Sequence, residues 1–162
     1  MKKIILLMLS LLLFSASPIN ALAESNLAFV FPIVSPKLTS KFGTRKHPVY
    51  KKIKHHNGLD LAVPANSHVR AVASGKVIFA ATHGGYGHLI TILHNNGASS
   101  MYAHLRKIKV EVGDIVTSGQ IIGLVGRTGT ATGNHLHFEW REEGKAVDPL
   151  KIFPDIAKQA QG

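Results

Sequence analysis

Two histidines one residue apart, His135 and His137, lie in the run Gly133-Asn134-His135-Leu136-His137-Phe138-Glu139-Trp140. In an extended segment, residues i and i+2 project from the same side. Leu136, Phe138 and Trp140 then project from the other side, which predicts a strand with an apolar face and an imidazole face. Imidazole titrates near neutral pH and is a common metal ligand. A second constellation is His56-Asn57-Gly58-Leu59-Asp60. Its histidine and aspartate either share the side of a strand or meet around the turn that Asn57-Gly58 favours. A third is Tyr102-Ala103-His104-Leu105, where alternation puts Tyr102 and His104 on one side and Met101, Ala103 and Leu105 on the other.

A catalytic zinc site takes three protein ligands, with bonds of roughly 2.0–2.2 Å, and keeps one position open for water. His56, Asp60 and one member of the His135/His137 pair make such a set. Zinc so held lowers the pKa of its water to about 7. The other histidine of the pair and His104 are then free for proton transfer. Spacing does not say which of His135 and His137 is the ligand. No His-Glu-x-x-His is present to supply a glutamate base. The remaining histidines, His47, His55, His68, His83, His88 and His94, are read as solvated residues of loops or strand edges.

The elements that position these residues read as short strands. In the lead-in 24–35, Phe29, Phe31, Ile33 and Val34 suggest an edge strand, with Pro32 keeping it at an edge. Residues 37–55 are the most basic stretch, with Lys37, Lys41, Arg45, Lys46, Lys51, Lys52 and Lys54, and Gly43 and Pro48 break it into loops. It is either solvated or a basic wall beside a cleft. Strand-like runs follow from Val63, with a loop at Thr82-His83-Gly84-Gly85 and a hairpin turn at Asn95-Asn96-Gly97. Glycines punctuate residues 110–125. The Gly/Thr run 126–133 lacks the Gly-Lys-Ser/Thr ending of a phosphate loop and serves as a connection to the His135 strand. The tail from Asp155 is short and polar, frayed or helical. The fold class expected is all-β, a compact antiparallel β-sandwich or barrel-like arrangement.

The 162 residues include no cysteine, so disulfides and thiolate metal sites are excluded. Met1-Lys2-Lys3 precedes an apolar run, 4–14, shorter than the roughly 20 residues of a membrane span. Pro18 and the small residues of Ala21-Leu22-Ala23 complete a secretory signal peptide, residues 1–23, cleaved after Ala23. The expected product is periplasmic or secreted, with no stable membrane anchor. The formal net charge of +10 suits an anionic partner such as a cell envelope. Export and the lack of a nucleic-acid-binding motif argue against nucleic acid.

Taken in order, His56-Asn57-Gly58-Leu59-Asp60, Tyr102-Ala103-His104-Leu105 and Gly133-Asn134-His135-Leu136-His137-Phe138-Glu139 resemble the lysostaphin-type zinc endopeptidases of bacterial peptidoglycan. The glycine-punctuated run from Val110 to Gly129 is similar to the stretch before their last motif. The resemblance spans roughly residues 42–149. It implies a central metal-binding groove, one zinc ion per chain held by His56, Asp60 and His137, and His104 and His135 as the catalytic pair. It divides the chain into a lead-in (24–41), a zinc endopeptidase domain (42–150) and a C-terminal tail (151–162). The implied substrate is peptidoglycan, cut in its stems or cross-links, with the D-alanine–diaminopimelate bond favoured over pentaglycine. A tyrosine that some members place upstream of the first ligand has only Tyr50 near its position. Some members act as silent activators of other wall hydrolases, which is the alternative reading. Gly113-Asp114-x-Val116-x-x-Gly119 also resembles the hairpins of biotinyl and lipoyl carriers, but no lysine sits in the required turn.

Overall fold

A computed structural model describes residues 29–46 and 52–159. The expected signal peptide, His47 and Tyr50 lie outside the described residues. The strands are β1 (Lys37–Ser40), β2 (Gly43–Lys46), β3 (Ile53–His56), β4 (Leu59–Ala62), β5 (His68–Arg70), β6 (Gly75–His83), β7 (Gly87–Leu93), β8 (Ser99–Ile108), β9 (Ile115–Val116), β10 (Ile121–Val125), β11 (His135–Glu142) and β12 (Lys145–Val147). Two short helices, α1 (Pro149–Ile152) and α2 (Asp155–Gln159), follow. The main sheet runs β1-β4-β11-β8-β7-β6-β9 and its pairings are antiparallel. β10 joins β8 and β5, while β2 and β3 form a separate hairpin. Among the described residues no pairing joins β1 to β9, so the sheet is open and not a closed barrel.

Alternation explains the central strands. On β11, Leu136, Phe138 and Trp140 enter the core with Leu59 and Leu61 of β4, and the histidines face the other way. The Asn95-Asn96-Gly97 turn does connect β7 to β8. The tail helices close the core with Phe153 and Ile156, and Asp148 caps α1 by accepting from the Leu150 N–H. Among the described residues no helix is long and apolar enough to cross a membrane.

Several expectations are corrected. Residues 29–34 form no strand; they are a bent segment tied down by Val30 N–H to Val72 O and Arg70 N–H to Pro32 O. In the basic stretch, Gly43–Lys46 and Ile53–His56 pair as strands, and the expected break at Pro48 lies outside the described residues. His83 ends β6 instead of lying in a loop. His94 is buried at 3% exposure. It donates from Nδ1 to Ser74 O, bonds Ser100 Oγ through Nε2, and stacks on Trp140.

The consequential departure is in β8. There Leu105 faces His88 and Tyr102 faces Ile90, so β8 holds one residue more than β7 between the same two rungs. That extra residue makes a bulge, which breaks the two-residue alternation. Tyr102 and His104 therefore do not share a side. Tyr102 is wholly buried, with its hydroxyl taking the Val72 N–H, and His104, at φ 61°, turns into the groove described next.

Candidate active site

The register of the sheet sets Asp60 of β4 directly opposite His137 of β11. His56 ends β3 and comes back onto Asp60 around Asn57-Gly58, so these two residues meet across a turn and not along one strand. Gly58 permits that approach. A Cβ there would collide with the Phe138 carbonyl oxygen and crowd Glu139 Cγ.

Three atoms of the kind that bind metals converge. His56 Nε2 is 3.0 Å from Asp60 Oδ1 and 3.1 Å from His137 Nδ1, and His137 Nδ1 is 2.9 Å from Asp60 Oδ1. The opposite ring nitrogens are engaged elsewhere. His56 Nδ1 donates to Lys41 O at 2.8 Å, and His137 Nε2 donates to Glu139 Oε1 at 3.0 Å. A carbonyl or carboxylate oxygen only accepts, so in the neutral rings each bond fixes the tautomer whose other nitrogen offers a lone pair to the cluster. A tetrahedral ion with bonds of about 2.0–2.1 Å has ligand–ligand edges of about 3.4 Å. The donor set of two imidazoles and a carboxylate, within a few tenths of an ångström of that triangle, fits such an ion and leaves one vertex open.

The electrostatics agree. Burial opposes ionisation of Asp60, but hydrogen bonds from His137 and His56 outweigh it and hold the carboxyl well below the usual range. Burial also opposes charge on His137, yet the carboxylates of Asp60 and Glu139 push its pKa up to about 9. A field that favours a proton there favours a cation equally. Glu139 is fully buried and saturated. It accepts from His137, from Tyr86 OH at 2.7 Å, and on Oε2 from Arg141 Nε and Nη2 at 2.8 and 2.7 Å.

His135 and His104 stand beside this cluster with ring centroids 4.7 Å apart. His135 Nδ1 donates to Gly133 O at 2.9 Å and His104 Nδ1 to Thr128 O at 2.8 Å. Each therefore keeps an Nε2 lone pair. His135 Nε2 is 3.7 Å from Asp60 Oδ1. Burial, then the neighbouring His135, push the His104 pKa down to about 4. His56, Asp60, His104, His135, His137 and Glu139 line one groove of about 400 Å³, together with Arg45 and Lys54 of the β2–β3 hairpin and with Gly85, Tyr86, Thr130 and Thr132.

The five residues singled out from the sequence, His56, Asp60, His104, His135 and His137, are thus brought together in one groove. Sequence reasoning passed over Glu139, Arg141 and Tyr86. Alternation along β11 gave a signal for the first two, because residues 135, 137, 139 and 141 share a side. No spacing relates Tyr86 to them.

Three comparisons bear on this geometry. The family model described as "Peptidase family M23" matches residues 54–149. Peptidoglycan DD-endopeptidase ShyB of Vibrio cholerae is 42% identical over 123 residues, which is 75% of this chain and 29% of that protein. A zinc-containing peptidase from Vibrio cholerae superposes with a TM-score of 0.69 at 41% identity, over 75% of this chain and 39% of that one. The catalytic domain of lysostaphin from Staphylococcus simulans gives a TM-score of 0.67 at 33% identity, over 74% of this chain and 92% of that domain. The chain spans under a third of the length of the Neisseria and Vibrio cholerae relatives it matches. With its site on an open antiparallel sheet of the lysostaphin kind and the family match covering more than half its length, this chain belongs to peptidase family M23.

Proposed function

We propose that this chain is an exported, zinc-dependent endopeptidase that hydrolyses peptide bonds of peptidoglycan, with the D-alanine–diaminopimelate cross-link as its target. The observation that carries the reading is the convergence of His56 Nε2, Asp60 Oδ1 and His137 Nδ1 beside two imidazoles whose Nδ1 atoms are held by backbone carbonyls. The peptidoglycan endopeptidase among the relatives supports the substrate class, and the basic leader 1–23 supports export to the periplasm or beyond.

His56, Asp60 and His137 would hold the ion. Bound there, zinc would supply Lewis acidity, which polarises a peptide carbonyl and makes water acidic near neutral pH. His135, next to the ligand cluster, takes the proton of the attacking water on Nε2 as general base. The Gly133 carbonyl holds its ring in the tautomer that can do this. Two imidazoles this close do not both charge readily, so His104 stays neutral while His135 holds the proton. Once protonated, His135 donates to the leaving amine, and His104 orders the water or amine between them. Glu139, fixed by Tyr86 and Arg141, keeps the His137 ring turned to the ion.

Processed protein, residues 24–162, incubated with purified sacculi of both cross-link types tests the reading. The expected result is release of uncross-linked muropeptides, seen by mass spectrometry, from diaminopimelate-type sacculi. Release should stop on dialysis against a chelator, return with zinc, and be absent in His137→Ala. No cleavage by folded, zinc-loaded protein would move the assignment to an activator of another hydrolase.

A further inference from the structure

Arg45 is the guanidinium that lines the groove among the described residues, and it is short of acceptors. Its Nη2 lies 3.4 Å from Asp60 Oδ2, the oxygen turned away from His56 and His137. That is longer than the roughly 2.7–2.9 Å of a charge-assisted bond. Its Nε is buried without a hydrogen-bond partner among the described residues. A guanidinium has five donors, so one long contact does not account for it. Holding Asp60 is not the whole of its work. Its side chain is 28% exposed and lines the groove.

Position narrows what it meets. Arg45 stands on the β2–β3 hairpin and reaches Asp60 of β4, while His104 comes from β8, on the far side of β11 from β4. A peptide crossing the cluster thus meets, in the same groove, the two imidazoles and a guanidinium fork beside Asp60. Such a fork suits the two oxygens of a carboxylate. An α-carboxylate adjacent to the scissile amide can belong only to the residue that leaves as the amine, because the carboxyl of the other residue is in the bond being cut.

We propose that Arg45 binds that carboxylate, so that this chain selects amides whose leaving amine sits on a carbon bearing a free carboxylate. The inference rests on the endopeptidase reading and deepens it. A cross-link to the free-acid end of diaminopimelate meets the requirement, as does a terminal D-alanyl-D-alanine bond. The interior bonds of a pentaglycine bridge do not.

The test uses zinc-loaded protein and purified cross-linked muropeptide dimers in two forms. In one the carboxyl beside the cross-link is free, and in the other it is amidated. The native protein should prefer the free acid by about tenfold or more in kcat/KM, mostly through KM, as loss of a charged hydrogen bond implies. Arg45→Gln should bring the ratio of the two substrates toward one, and Arg45→Lys should fall between, with zinc content and melting temperature recorded for each. A pentapeptide monomer in parallel separates the terminal bond from the cross-link as the source of the carboxylate. Equal native rates on both dimers would overturn the role of Arg45 and leave the endopeptidase standing. So would an Arg45→Gln variant that loses the same factor on both. If neither dimer is cut, both readings fall together. The native comparison decides the matter even if a variant fails to fold.

Discussion

His104 has a left-handed backbone, φ 61°, inside a strand. A residue with a Cβ is strained there by about 1 kcal/mol or more, and glycine is not. The bulge accepts this strain because Tyr102 and Leu105, three residues apart, are both core residues. Only an extra residue between them lets both point inward, and that residue's side chain is delivered to the groove. Strain placed beside a ligand cluster points to use in chemistry. His104→Gly should therefore be more stable than His104→Ala by about 1 kcal/mol in urea unfolding, with hydrolysis lost in both. Equal stabilities would show that the backbone at 104 is not strained. The run Ser99-Ser100-Met101-Tyr102-Ala103-His104-Leu105 gives no hint of this, because it reads as unbroken alternation and has no glycine to mark the bulge.

The β7–β8 hairpin shows what an element adds beyond its own pattern. His94 sits at its turn, where its N–H meets Ala98 O and its ring stacks on Trp140 of β11 at 5.1 Å. The ring also joins a buried chain of hydrogen bonds through Ser100 Oγ to the Tyr102 hydroxyl. Burial pushes the His94 pKa below 6.5, and the bond to Ser74 O only partly opposes it. The sign follows. As pH falls below about 6.5 the unfolded chain binds this proton before the folded one, so the His94 contribution to stability is lost on acidification and restored as pH rises. His94→Gln, which keeps a donor and an acceptor, should narrow its stability gap to the native protein between pH 7 and pH 5, measured by urea unfolding. A gap that stays constant would mean that His94 does not titrate differently in the two states. Strands such as β4 and β11 were legible because one face is apolar and the other polar. The β2–β3 hairpin was not, because apart from the exposed Ile53 its side chains are polar and no alternation marks a buried face. His94 was misread for a related reason. Its partner Ser74 lies 20 residues away, a distance that no local pattern reports.

The whole molecule sets a cationic body around a groove whose floor holds Asp60 and Glu139. The positive charge is dense on the strands flanking the groove, with Lys37 on β1, Lys52 beside β3, and Arg45 and Lys54 on the hairpin. Two interactions with different reach follow. The contact proposed for Arg45 acts within the groove over one bond length and survives salt. The field of the surface lysines acts over the screening length of about 10 Å at 0.1 M salt and does not. The proposed substrate, peptidoglycan, bears many carboxylates, so on that proposal the field should concentrate the protein on sacculi and speed encounter by tenfold or more at low salt. Raising ionic strength from about 20 mM to about 500 mM should then cut the initial rate of sacculus digestion by about tenfold, while kcat on a short soluble dimer stays near its low-salt value. Lys37→Glu combined with Lys52→Glu should lower the low-salt rate on sacculi and flatten the salt dependence, leaving the free-acid preference among dimers intact. A rate on sacculi indifferent to salt would assign recognition to the groove alone, and the excess of cations would need another partner. If the double variant lost the dimer preference as well, the field and the groove would not be separable, and the division of work between the surface lysines and Arg45 would be wrong.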